Sequence, residues 1–157
     1  MKTVLIWVGK TQFSYINKAT DDYLGRIKHY MSTELLEIPD VKSSLRRTLE
    51  DQRTNEGLAI LKKIEKEDYV VLLDDKGKTF TSIEFAQWIN QRQLSFVNRL
   101  VFVIGGAYGF SPEVYARCNA QLSLSKMTFS HQIIRAIFSE QLYRAMTILK
   151  GEPYHHE

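Results

Sequence analysis

The stretch Arg99–Gly109, RLVFVIGGAYG, decides how the chain is read. After Arg99 the residues are apolar without a break up to Ile104, where two glycines follow. An apolar run of this length stopped by glycine fits a strand buried on both faces. Just beyond, Ser111-Pro112-Glu113 sets serine as cap, proline in the first helical position and glutamate in the first turn. That is a helix start. The unit is therefore a buried strand, a glycine turn and a helix.

Outward from it, the same pattern recurs. Thr3–Val8 (TVLIWV) ends at Gly9, and Tyr69–Leu73 (YVVLL) is followed by Asp74-Asp75-Lys76-Gly77-Lys78, which reads as its turn. Shorter strands are expected at Glu34–Ile38, stopped by Pro39, and at Gln121–Leu124. Helical spacing fills the intervals. Gln12–His29 carries Phe13, Ile16, Ala19, Tyr23 and Ile27 on one face. Leu45–Ile64 carries Leu45, Leu49, Leu58, Leu61 and Ile64, with Gly57 weakening its middle by about 1 kcal/mol. A third helix runs from a Thr81 or Ser82 cap to about Arg92, with Glu84 near its positive end. A long helix, Ser130–Leu149, presents Ile134, Ile137, Phe138, Leu142, Ala145, Met146 and Leu149, and Gly151 and Pro153 stop it. Alternating strands and helices predict an α/β fold with a mostly parallel sheet flanked by helices. Such sheets bind ligands beyond the carboxyl ends of their strands. The loops after Val8, Leu73, Ile104 and Leu124 are therefore the places to look for a site.

The 157 residues, 44% hydrophobic and 25% charged, suit one domain covering 1–157. No apolar run is long enough to cross a bilayer, and the first strand does not read as a signal peptide. One cysteine, Cys118, excludes an internal disulfide and fits a reducing, cytoplasmic compartment. The formal charge of +3 permits a polyanionic partner. Metal is not expected: the adjacent acids Asp74 and Asp75 read as solvated turn residues, and His155-His156 lack a third ligand.

Gly105-Gly106-Ala107-Tyr108-Gly109 is not a P-loop, since no Gly-Lys-Ser/Thr follows, and Gly9 alone is not a dinucleotide fingerprint. The loop Leu124-Ser125-Lys126-Met127-Thr128-Phe129-Ser130-His131 gathers hydroxyls, a cation, a thioether and an aromatic ring. Free amides at the following helix start add donors. That mix suits a ligand with an apolar ring, hydroxyls and a carboxylate. It also suits a helix cap with Met127 and Phe129 as core plugs, and both can hold at once. His131 and Arg135 lie one turn apart on one helix face, whereas Arg144 points the opposite way. Lys42, Arg46, Arg47 and Arg53 form a basic stretch, either a solvated face or phosphate contacts.

Four segments then carry a resemblance. They are Phe102–Gly109 (FVIGGAYG), Leu122–His131 (LSLSKMTFSH), Glu140–Ala145 (EQLYRA) and the Pro153-Tyr154-His155 tail. Together, in order and over essentially the whole chain, they resemble the RlmH family of SPOUT-class methyltransferases. The resemblance implies an S-adenosylmethionine-dependent methylation of N3 of a pseudouridine in 23S rRNA of the assembled ribosome. It implies a homodimer and a deep trefoil knot in the region of about 100–157, which generic topology rules would not suggest. It places the methyl donor on Leu73, Gly105, Leu124, Ser125, Lys126, Met127, Thr128 and Phe129. Tyr154, His155 and His156 become substrate contacts. Ser130 stands where many relatives carry proline, and His156 where relatives often carry arginine or lysine.

A mechanism consistent with this has His131 or His155 accept the N3 proton, and Arg135 or Arg144 stabilise the anionic ring oxygen. Arginines facing opposite ways suit an active site built from two subunits. The rival expectations are a non-catalytic ribosome- or RNA-binding module of the same fold, and a flavodoxin-like nucleotide- or phosphate-binding domain.

Overall fold

The computed structural model describes residues 1–40 and 48–156. Among these, five strands alternate with five helices: β1 Lys2–Val8, α1 Ser14–Ile27, β2 Thr33–Ile38, α2 Leu49–Leu61, β3 Tyr69–Thr79, α3 Ser82–Leu94, β4 Arg99–Ile104, α4 Pro112–Arg117, β5 Ala120–Ser123 and α5 Ile133–Lys150. The strands form one sheet, ordered β2-β1-β4-β3-β5, and every pairing is parallel. The α/β expectation is met.

The two-residue period of each strand divides the core. Leu5, Trp7, Val71, Leu100 and Phe102 point to one face, where Leu24, Phe85, Phe138 and Leu142 of α1, α3 and α5 cover them. Val4, Ile6, Val70, Val101 and Val103 point to the other, under Ile60 of α2 and Val114 of α4. Covering both faces is what makes β1, β3 and β4 unbroken apolar runs rather than alternating ones. Each such fully buried aliphatic or aromatic side chain contributes about 1.5–3 kcal/mol of transfer free energy.

Helix boundaries follow local chemistry. Thr81 caps α3 with a reciprocal box: its hydroxyl accepts from the Glu84 amide at 3.2 Å, and Glu84 accepts from the Thr81 amide at 2.7 Å. Thr48 and Asp51 do the same for α2. Gly151, at φ +67°, closes α5 in the left-handed conformation.

Three expectations need correction. In α1 the buried face is Ile16, Thr20, Leu24 and Ile27, while Phe13 lies exposed just before the helix. In α2 the buried residues are Glu56, Gly57 and Ile60, and Leu49 and Leu58 face solvent. The Leu45 end of that helix lies outside the described residues. Gly57 is there for contact: a Cβ on it would fall 2.3 Å from Ser111 Oγ, so α2 and the start of α4 meet backbone to side chain. Finally, Asp74–Lys78 is no terminal turn. β3 bulges there and resumes pairing, so that Leu122 of β5 is opposite both Leu73 and Lys78. Gly77 permits this, since a Cβ on it would lie 2.6 Å from the Leu122 backbone.

Candidate active site

The carboxyl ends of β3, β4 and β5 open into a cavity of about 300 Å³. Leu73 and Ile104 form its floor, and the glycine turn after β4 forms one side. The loop from Leu122 to His131 and Ile134 of α5 close the other. Of the residues expected to hold a donor, Leu73, Gly105, Leu124, Ser125, Met127, Thr128 and Phe129 line this cavity. Lys126 does not line it and is exposed on the same loop. That loop is held by its own polar groups. Ser123 Oγ donates to the Ser125 carbonyl at 2.8 Å, and Ser125 Oγ accepts from the Met127 amide at 2.9 Å. Ser130 Oγ accepts from the Ile133 amide at 3.2 Å, so the serine tightens the turn entering α5.

The bulge in β3 brings Asp74 and Asp75 to the cavity wall, although their sequence context reads as a solvated turn. Tyr115 of α4 donates its hydroxyl to Asp74, and the Lys76 amide donates to Asp74 Oδ1 at 2.9 Å. Nothing in the local sequence signals this, because Tyr115 lies 41 residues away. Beneath the glycine turn, Glu56 is 4% exposed, and a Cβ on Gly106 would fall 2.7 Å from its Oε2. Gln52 donates to Oε1 at 3.3 Å, and Oε2 has no hydrogen-bond partner among the described residues. Burial pushes this carboxyl's pKa up, the Gln52 bond opposes and the Asp40 charge adds.

The loop after β1 does not share the cavity, contrary to expectation. Its carbonyls are occupied by Arg135, which is 0% exposed. The guanidinium donates to the Val8 carbonyl at 2.7 Å, the Gly9 carbonyl at 3.1 Å and Thr11 Oγ1 at 2.8 Å, and lies over the Trp7 ring. Its Nε donates to the His131 carbonyl at 3.2 Å. Gln132 adds a second tie: its Oε1 accepts from the Gln12 amide at 2.8 Å, and its Nε2 donates to the Lys10 carbonyl at 3.3 Å. Arg135 is thus a buried brace and not a group open to substrate. His131 does line the cavity. Burial lowers its pKa, the Arg135 charge lowers it further and Asp40 opposes. The imidazole is therefore neutral near pH 7 and free to accept a proton.

Arg144, Tyr154 and His155 come together elsewhere, at the far end of α5. Arg144 donates to Glu140 Oε1 at 2.9 and 2.6 Å, its Nη1 is 3.3 Å from His155 Nδ1, and it lies over the Tyr154 ring. Tyr154 also donates to Glu140 Oε1, at 3.2 Å. His156 is exposed beside this group. Ile134 borders the cavity, and at the helical rise Arg144 lies about 15 Å farther along α5. Within the chain the two groups therefore lie apart.

Of the basic stretch, Lys42, Arg46 and Arg47 lie outside the described residues, while Arg53 Nε donates to the Tyr108 carbonyl at 3.0 Å and braces the glycine turn. Among the described residues no three histidine, cysteine, aspartate or glutamate side chains converge as metal ligands. No described helix is long and apolar enough to cross a membrane.

Comparison with known proteins identifies the family. The family described as "Predicted SPOUT methyltransferase" matches residues 1–155. Proteins named ribosomal RNA large subunit methyltransferase H are similar over the full length of both chains. Those of Parabacteroides distasonis and Bacteroides fragilis are 50% identical across 100% of each chain. That of Porphyromonas gingivalis is 48% identical over the same span. A cavity built by the turns after three parallel strands, in a chain matched from end to end, places the protein: it belongs to the SPOUT methyltransferase family, within the group that carries this large subunit methyltransferase name.

Proposed function

We propose that the chain is an S-adenosylmethionine-dependent methyltransferase of large-subunit ribosomal RNA that methylates N3 of a pseudouridine in the assembled ribosome, as a cytoplasmic homodimer with a knotted C-terminal region. The observation that carries this reading is the composition of the cavity. Leu73, Ile104, Leu124, Phe129 and Ile134 offer apolar walls for a purine ring, and Ser125 and Thr128 offer hydroxyls. Asp74 and Asp75 offer negative charge to a cation. The volume of about 300 Å³ falls at the lower end of the small-molecule range. These residues fit an adenosyl sulfonium compound, which supplies an electrophilic methyl group when bound.

The remaining work falls to side chains of the chain itself. The cavity loops hold the donor in one orientation, which converts an encounter into a positioned attack. His131, neutral and facing the cavity, takes the proton from N3. Arg144, held by Glu140, stabilises the negative charge that develops on the ring oxygen. Tyr154, His155 and His156 hold the nucleotide. Because Arg144 and its neighbours lie far along α5 from the cavity, they serve the cavity of a second copy. Arg135 acts by position, fixing the carbonyl of His131 and the loop after β1.

Mass spectrometry of 23S rRNA from cells lacking the gene tests the reaction. One methyl group should be missing from one pseudouridine and restored by this chain, and unchanged rRNA rejects the reading in favour of a non-catalytic module. A mixed dimer tests the shared site. One subunit carries Gly105→Val, which blocks the cavity, and the other carries Arg144→Ala. A shared site leaves one intact centre per mixed dimer, whereas a site within one protomer leaves none.

A further inference from the structure

The cavity wall carries charge of one sign. Among the described residues that line it, the ionisable side chains are Asp74, Asp75 and His131, with no lysine or arginine. His131 is neutral near pH 7 for the reasons given. The two carboxylates therefore set the local field. Asp74 is half-buried and fixed from two sides, by the Tyr115 hydroxyl on one oxygen and the Lys76 amide on the other. Burial alone would raise its pKa. The bonds from the Tyr115 hydroxyl and the Lys76 amide oppose it, and the carboxyl is held below its ordinary value. Tyr115 keeps its proton, because burial and the Asp74 charge push the phenol up to about 12. Its ring packs edge-on against Phe110, another residue of the cavity wall. The hydroxyl thus reaches Asp74 from a rigid base. Lys76 and Lys126 are exposed and do not line the cavity, and the charge of Lys76 is the weakest of the influences on Asp74.

We infer that Asp74, held at the cavity wall by Tyr115, makes the site discriminate by charge, binding the cationic donor S-adenosylmethionine more tightly than its neutral product S-adenosylhomocysteine. The inference rests on the donor reading above. In methyl transfer the carbon–sulfur bond breaks and its electron pair stays on sulfur. The methyl group bonds to the nucleobase nitrogen, and the proton of that nitrogen goes to His131. The sulfur compound thereby loses one positive charge while keeping its shape. A fixed carboxylate feels that change and apolar walls do not. Turnover therefore weakens the hold of the site on its product at the moment release is needed. For one charge–charge interaction in a partly solvated cavity, the expected discrimination is on the order of tenfold.

Isothermal titration of the full chain with S-adenosylmethionine and, separately, S-adenosylhomocysteine tests this without any turnover. Asp74→Asn keeps an oxygen for Tyr115 to donate to and removes the charge. It should weaken binding of S-adenosylmethionine by about tenfold and leave S-adenosylhomocysteine within about twofold. Tyr115→Phe should move the ratio the same way by less. Added salt should narrow the ratio for the native chain and not for Asp74→Asn. Equal weakening of both ligands, or a ratio unchanged by Asp74→Asn, overturns the inference and leaves the donor reading standing. If the native chain binds neither compound, the donor reading falls and the inference with it.

Discussion

Two ends of the same sheet edge are treated in opposite ways. At β1 the carboxyl end is closed: Arg135 fills it and takes up the carbonyls of Val8 and Gly9. At β3, β4 and β5 it is open, and the turns stand apart around a cavity. Both ends are capped by the same segment, the entry into α5, with His131 facing the cavity and Arg135 facing β1. One end is rigidified so that the other can stand open. A cavity loses packing contacts, and the structure beside it must be over-determined to hold its shape.

The largest test breaks the closed end. Arg135→Met leaves two buried carbonyls and the Thr11 hydroxyl without their donor, at a cost of about 3 kcal/mol in urea unfolding. If Arg135 braces the site, donor affinity should also fall under conditions where the variant remains folded. Unchanged stability would mean that water replaces the guanidinium without loss.

Next comes the open end. Gly77→Ala pushes a methyl group into the Leu122 backbone and should part β3 from β5 at the bulge, losing roughly 2 kcal/mol. Donor affinity should fall with it, because Asp74 and Leu122 move apart. A variant of native stability and affinity would show that the bulge does not hold the wall.

Smaller and more diagnostic is the pH response of His131. Its pKa is lowered from 6.5, so the folded chain binds fewer protons there than the unfolded chain. Stability should decline as pH falls below 6.5, and the acid limb of activity should lie below 6.5 as well. Removing the Arg135 charge should move that limb upward, which couples the two ends through one histidine. A limb at or above 6.5 in the native chain counts against His131 as the base.

The smallest effect concerns Glu56, under the glycine turn. Its raised pKa means that the folded state favours the protonated acid, so stability falls as pH rises from about 4.5 through the folded value. Glu56→Gln should match the native chain near the low end of that window and exceed it above, by a few degrees in melting temperature at most. A constant gap across pH would show that the acid is held by something other than burial.

The residue pattern alone established the alternation of strands and helices, the parallel sheet and the turns that form the cavity. Those features are local: an apolar run stopped by glycine, or a Thr81–Glu84 box, states its own structure within a few residues. The turn from Leu124 to Phe129 was legible for the same reason, since its donors and apolar groups are adjacent in the chain. The order β2-β1-β4-β3-β5 was not, because hydrophobic period tells that a strand is buried and not which strand lies beside it. Arg135 reads as an ordinary basic residue one turn from His131, and only folding shows that it reaches carbonyls 126 and 127 residues away. Asp74 reads as a solvated turn acid until a bulge and Tyr115 lift it to the cavity wall. Periodicity reports how a residue is buried, but a polar group takes its meaning from its partner, and partners distant in the chain are chosen by packing.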